Sequence, residues 1–299
     1  MIRATKLFGT IALTASLAIV MATTALAAPT SVGLGTAKSF AVLAGETITN
    51  TGPTKITGDI GLHPGSAVPG FASVTYVGAL HLADGAALQA KNDLVTAYND
   101  AAGRTPASTV ATELGGQVLK AGIYNSTAGT FGVTGTLTLD AEGDSNAVFI
   151  FQAASTLITA PGSSVALING ASACNVFWQV GSSATLDTTT SFKGTIMALT
   201  SIALKTGATL QGRALARNGA VTLDTNVITS AACAPPTAPP TIPNTSLRDG
   251  GAPLALTLTL PLSLILIGVL AVMLSTALFG LARLAPRDGR ARGSEGPNR

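Results

Sequence analysis

Two aspartates and a lysine come closest to a chemical constellation in this chain. Ala184-Thr-Leu-Asp187, Ala203-Leu-Lys205 and Thr222-Leu-Asp224 repeat one pattern, which puts Asp187, Lys205 and Asp224 in a single row if the segments stack as strands. Paired carboxylates on neighbouring coils are one way to cut a glycosidic bond. Here a lysine lies between them, and carboxylates two strands apart stand roughly 9–10 Å distant, near or beyond the upper end of the inverting-glycosidase range. The competing reading is a structural row of alternating charge. Cys174 and Cys233 could offer a thiol nucleophile, but the two histidines, His63 and His81, lie far from both in sequence. In an exported chain the cysteines read instead as a disulfide, closing a loop of about 60 residues and stabilising by roughly 3–4 kcal/mol. No metal-ligand cluster or phosphate-binding loop accompanies these groups, so neither a metal nor a cofactor is expected.

The elements that position this row are short and repeated. Gly194-Thr-Ile-Met-Ala-Leu199 recurs as Gly212-Arg-Ala-Leu-Ala-Arg217, and Leu204 recurs as Leu223. The period, roughly 18–19 residues of strand-like sequence, points to a β-solenoid in which each coil supplies three strands. Period-two alternation sends Ile196, Ala198, Ala214 and Ala216 inward and leaves Met197 and Leu215 outside, with Phe177 or Trp178 alongside them. Outward apolar residues need a cover. The chain offers one amphipathic helix, about 84–103, with Asp84 as N-cap and Lys91 embedded in the apolar stripe formed by Ala87, Leu88, Leu94, Val95, Tyr98, Ala101 and Ala102. On the next face Leu186, Leu204 and Leu223 turn inward, so Thr185, Ala203 and Thr222 form an outer row. Gly58-Asp-Ile-Gly61 takes the coil position of Gly194-Thr-Ile-Met197, so the N-terminal piece is built like the C-terminal coils. The expected fold is mainly β.

Threonines recur between these strands. Thr51-Gly-Pro-Thr54, Thr127-Ala-Gly-Thr130 and Thr206-Gly-Ala-Thr209 share one form, and Thr57, Thr188 and Thr225 extend the set. Ordinary β-propensity with small corner residues accounts for such a pattern without any function.

The ends of the chain differ from its middle. Arg3 and Lys6, an apolar run and Ala25-Leu-Ala27 give residues 1–27 the order of a secretory signal peptide. After the solenoid domain, 28–233, a proline-rich linker (234–253) leads to an apolar stretch (254–282) long enough to span a bilayer, and then to a tail (283–299) with five arginines, expected in the cytoplasm. Within the linker, Ile242, Pro243, Asn244, Thr245 and Ser246 resemble a sortase recognition site of the Leu-Pro-x-Thr-Gly type, with isoleucine in place of leucine and serine in place of glycine. If used, the site would join the chain to the cell wall through Thr245; otherwise the apolar stretch keeps the domain on the membrane. Residues 28–282 carry 10 basic and 12 acidic side chains, which excludes the basic footprint of a nucleic-acid binder.

Leu34-Gly-Thr-Ala-Lys-Ser-Phe-Ala-Val-Leu-Ala-Gly45, Thr57-Gly-Asp-Ile-Gly61, Gly122-Ile-Tyr124, Val148-Phe-Ile-Phe-Gln152 and Asn175-Val-Phe-Trp-Gln179 together resemble the microbial ice-binding protein family. The likeness covers roughly residues 33–230. It implies a discontinuous β-solenoid with one long helix packed alongside, and an ice crystal surface as the partner. Ice would be met by rows of hydroxyl and methyl groups repeating at the coil spacing of about 4.7–4.9 Å. Two sets of threonines are candidates under that resemblance: the corner residues Thr51, Thr54, Thr57, Thr127, Thr130, Thr188, Thr206, Thr209 and Thr225, and the row containing Thr185 and Thr222. A surface adhesin and a solenoid carbohydrate-active enzyme remain as alternative functions.

Overall fold

The computed structural model describes residues 28–231 and 233 of the 299-residue chain. The expected signal peptide, linker, apolar stretch and basic tail lie outside the described residues. So does the expected sorting site, with all five of its residues, Ile242, Pro243, Asn244, Thr245 and Ser246. Among the described residues, no helix is long and apolar enough to cross a membrane.

Parallel strands wind into a three-faced solenoid. The first face, which we call the helix face, carries Phe149–Ala153, Val176–Val180 and the second halves of Ser191–Ala198 and Thr209–Ala216, paired in register. A second face is a separate six-stranded sheet of short strands, and the third face carries the first halves of the two eight-residue strands. Those long strands pass from the third face to the helix face through Gly194 and Gly212, whose φ angles are +106° and +155°. A Cβ on Gly212 would fall 1.8 Å from the carbonyl oxygen of Gly194, so glycine is required for the coils to close up at this corner. Gly58 occupies the same corner at φ +125°, in agreement with the expected match to Gly194.

The coils do not stack in chain order. Val42 pairs with Ala214, Thr49 with Thr222 and Lys55 with Val227, so the first coil lies directly on the last. The coil of Asp59–Leu62 and Val74–Val77 then extends the stack outward. From there the chain must return to the opposite end, where Ser108–Val110 pairs with Gly122–Ser126. The helix Gly85–Gly103, 19 residues and therefore about 28 Å long, makes that return along the helix face.

Its fit is set by small residues. Ala90, Leu94, Ala97, Tyr98 and Ala101 pack on Leu43, Ile150, Phe177, Met197 and Leu215, the outward apolar residues of the strands. The stripe is rotated from the expected one: Ala90 and Ala97 are buried while Leu88 is exposed, because alanine allows the helix axis to approach the sheet more closely than leucine would. Asp84 caps the N-terminus by accepting from Ala87 N at 2.8 Å, and Gln152 Nε2 donates to Ala101 O and Arg104 O beyond the other end. Phe177 faces the helix, whereas Trp178 points into the solenoid, stacked on Phe151 at 4.0 Å and donating Nε1 to Lys193 O. Cys174 and Cys233 are bonded, with Cα atoms 5.4 Å apart, where the chain turns from the third face to the helix face.

Lys91 does not reach water. It is buried and donates to the carbonyl oxygens of Ala216 and Arg217, while Arg217 lies 4.7 Å over the Tyr98 ring. Burial first, and the neighbouring Arg217 charge second, push the Lys91 ammonium down to about 8. The unfolded chain holds that proton to about pH 10.4. Between those values the unfolded state binds more protons, so stability rises with pH across this window and the burden of the charge is complete below it. Urea unfolding should therefore show the protein gaining up to about 3 kcal/mol between pH 7 and 10.5 relative to Lys91→Met, a difference with no pH slope if the lysine is not the cause.

Candidate functional site

The six-stranded face is the surface whose outer side chains form regular columns. Its strands run in the order Phe131–Val133, Leu157–Thr159, Ala184–Leu186, Ile202–Leu204, Val221–Asp224 and Ile48–Thr51. Register places Gly132, Ile158, Thr185, Ala203, Thr222 and Thr49 in one outer column, which contains the expected Thr185–Ala203–Thr222 row. Beneath it Leu186, Leu204 and Leu223 are buried as expected. A second column follows from backbone bonds between coils. Phe131 N donates to Thr156 O, Leu157 N to Ser183 O, Ala184 N to Ser201 O, Ile202 N to Ala220 O and Val221 N to Thr47 O, so Thr156, Ser183, Ser201, Ala220 and Thr47 align. Columns repeat at the strand spacing of about 4.8 Å and lie about 6.6 Å apart, two residues of strand rise. Every member is half-buried or exposed, with Ile158 the most exposed large apolar residue of the face at 52%.

The third column is charged in its middle. Asp187, Lys205 and Asp224 stand in the expected row, and Thr51 continues it opposite Asp224. Lys205 Nζ lies 3.0 Å from Asp187. Asp187 also accepts from Thr188 N at 2.7 Å, and this bond, more than the lysine, holds its carboxyl below the usual aspartate range. Asp224 accepts from the hydroxyls of Thr206 and Thr225. Each carboxylate is thus engaged by its own corner or by a neighbouring coil, the arrangement of a structural ladder.

The corner beyond this column explains the threonine motif. Gly52, Gly162, Thr189, Gly207 and Thr225 all take left-handed φ angles between +53° and +73°. Each of the last four donates its N–H to the residue before the left-handed position of the next coil: Gly162 to Thr188 O, Thr189 to Thr206 O, Gly207 to Asp224 O and Thr225 to Thr51 O. The residues that follow turn inward. Thr190, Ala208, Asn226 and Thr54 are 0% exposed. Thr54 therefore cannot contact an external surface; its hydroxyl accepts from Asn226 N at 3.1 Å. Thr51 and Thr206 are exposed at this corner, with Thr188 and Thr225 half-buried beside them.

The three threonine motifs do not form one array. Thr127 and Thr130 turn the chain from the helix face to the six-stranded face, a different corner from that of Thr51 and Thr206. Thr130 precedes Phe131 as Thr156 precedes Leu157, so it begins the second column. Thr209 and Thr57 lie on the third face. There Thr209 stands beside Ser191 and Val227, and Thr57 stands in a row with Thr229, Gln211 and Lys193. Lys193 Nζ donates to Gln211 Oε1 at 2.9 Å in one row; the other runs neutral through Thr136, Ser164, Ser191, Thr209 and Val227 before it meets Lys55, so this face offers one neutral run where the six-stranded face offers two side by side.

Thr47, Thr49, Thr156, Ser183 and Ser201 were not among the expected residues. The signal was the match of Thr47-Ile-Thr-Asn50 to Ala220-Val-Thr-Leu223, which is meaningful only once the first coil is known to lie on the last.

A parallel, out-of-sequence β-solenoid with one face under a helix and another left open is the class of protein these features define. The chain matches the family described as Ice-binding-like over residues 42–229 and belongs to it. The ice-binding protein of Nostoc sp. (strain HG1) is 49% identical over 205 residues, covering 68% of this chain and 76% of the relative. The solved structure of an ice-binding protein from an Antarctic biological consortium has a TM-score of 0.67 at 51% identity, covering 69% of this chain and 94% of its own. That of the Antarctic ascomycete Antarctomyces psychrotrophicus has a TM-score of 0.65 at 41% identity and is covered over 100% of its length by 68% of this chain. A chain no longer than the matched two thirds of this one thus folds on its own.

The polar corner generates its own test. Asn226 Nδ2 donates to Lys205 O and Ala208 O, and Asn226 Oδ1 accepts from Asp224 N at 2.7 Å. Replacing it with leucine strands these backbone groups in the interior. Asn226→Leu should lower stability by about 2–4 kcal/mol in denaturant unfolding, while the exposed Thr229→Ala should change it by less than about 0.5 kcal/mol.

Proposed function

We propose that this protein adsorbs to ice through the six-stranded face and so restrains ice growth. The observation that carries the reading is the pair of neutral columns, Thr49–Thr222–Ala203–Thr185–Ile158 and Thr47–Ala220–Ser201–Ser183–Thr156, held in register and open to solvent. Hydroxyls anchor water by hydrogen bonds, and the methyl groups between them leave the neighbouring waters to bond with each other. Backbone bonds between coils fix the spacing, so water ordered on the face needs little rearrangement to merge with a crystal. Growth is then confined to curved fronts between adsorbed molecules. No bond is made or broken, and the engaged carboxylates of Asp187 and Asp224 are not asked to act.

We further infer display at the cell surface: export through residues 1–27, then retention by the apolar stretch 254–282 or linkage at Thr245 after sorting. Membrane fractionation with and without deletion of 254–282 tests the anchor.

The face itself is tested by bulk. In residues 28–233, Thr222→Tyr should abolish recrystallisation inhibition and thermal hysteresis, and Thr209→Tyr on the third face should retain them. The reverse outcome would move the surface to the third face. Unaltered ice growth with the wild-type domain, accompanied by binding to cells or polysaccharide, would favour the adhesin.

A further inference from the structure

The charged column poses a question that the neutral ones do not. We propose that Asp187, Lys205 and Asp224 limit the ice-contacting area of this protein, confining it to two of the three columns that the six-stranded face provides. The proposal rests on the six-stranded face being the one that meets ice.

The geometry makes the third column equivalent to the others in all but chemistry. It shares their register and stands about 6.6 Å from the middle column. Its last member, Thr51, is neutral and exposed, so the charges interrupt the column in the middle of the stack. Lys205 is 52% exposed and Asp187 21%, leaving the ion pair in contact with solvent. An ammonium offers three donors and no acceptor, and a carboxylate only acceptors. Each turns its nearest waters one way, whereas a water in ice both donates twice and accepts twice. Fitting those groups against a crystal would require stripping or reorienting their hydration, which is costly for charged groups. The neutral hydroxyls of Thr185 and Thr222 impose no such orientation, since each both donates and accepts.

The fold needs the oxygens of this column and not its charge. Asp187 accepts from Thr188 N, and Asp224 accepts from the Thr206 hydroxyl. An asparagine oxygen keeps the Thr188 N contact at 187; at 224, where Thr206 and Thr225 donate to different carboxylate oxygens, the asparagine oxygen keeps one hydroxyl and its amide donates to the other. The charge is thus separable from the corner geometry.

The test is Asp187→Asn/Lys205→Gln/Asp224→Asn in residues 28–233, with circular dichroism and a melting curve to establish folding. Should the triple variant not fold, the pair Asp187→Asn/Lys205→Gln, which leaves Asp224 and its two hydroxyl contacts in place, decides instead. Thermal hysteresis at equal molar concentration should rise by about 1.5-fold or more, as contact grows from two columns to three. Removing two charges from the third face, Lys55→Gln/Lys193→Gln, should leave it unchanged. A folded neutral-column variant with equal or lower activity overturns the proposal, as does an equal gain from the third-face control. If Thr222→Tyr abolishes activity and the neutral column brings no gain, the limit alone is wrong; if Thr222→Tyr has no effect, the face and the limit fall together.

Discussion

The pairing of the first coil with the last is the interaction on which the rest of this molecule depends. Val42–Leu43 against Ala214–Leu215, Ile48–Thr51 against Val221–Asp224 and Thr54–Thr57 beside Val227–Thr229 join segments some 170 residues apart on all three faces. This contact places Thr49 beside Thr222 and so lengthens the outer columns by a coil. It also buries what would otherwise be the exposed edge of the terminal coil, an open row of backbone donors and acceptors. The chain then has to travel back along the stack, and the return path is the helix.

Helix and sheet solve each other's difficulty. A solenoid wall built with Leu43, Ile150, Phe177, Met197 and Leu215 outward is insoluble unless covered, and a helix with Ala90, Leu94, Ala97 and Ala101 on one side has nothing to bury against except such a wall. The cost is polar. Lys91 is enclosed with two carbonyl partners and a neighbouring cation, and the Tyr98 hydroxyl accepts from Gln179 and donates to Val180 O. With one face sealed in this way, and the third reduced to a single neutral run beside the Lys193–Gln211 row, the six-stranded face is the open surface with two neighbouring neutral columns.

Much of this was legible in the sequence because the repeat is strong where the coils are consecutive. The 18–19-residue period gave the register of Gly194 on Gly212 and Leu204 on Leu223, and period two gave the inward and outward sides of those strands. The helix was legible from Asp84 and its change of period, although its buried stripe was not, since alanines carry little hydrophobic signal. What could not be read was anything that depends on non-consecutive coils. Thr47 and Thr49 belong to the open face only through the closure with Val221–Asp224. The threonine motif misled for a related reason. Thr206-Gly-Ala-Thr209 and Thr51-Gly-Pro-Thr54 share a left-handed second residue, but Pro53 makes the first coil's corner one residue longer: Thr206–Thr209 matches Asp224–Val227 residue for residue, whereas Asp224–Val227 is matched by Thr51–Lys55, so Thr54 falls in register with Asn226 inside the corner while Thr209 stays outside.

That buried corner has a consequence for the face. A column of side chains is regular only if every coil turns at the same point, and the left-handed residues Gly162, Thr189, Gly207, Thr225 and Gly52 provide that common turning point. Glycine takes such a conformation freely; threonine does so against a steric penalty. Thr189 and Thr225 are held there by what surrounds them, the Thr159–Thr190 hydroxyl pair in one coil and Asn226 with Thr54 in the other. The interior hydrogen bonds oblige two unfavourable residues to follow the geometry set by the glycines above and below. Regularity on the outside of the solenoid is therefore enforced from within, by polar groups that never meet the solvent.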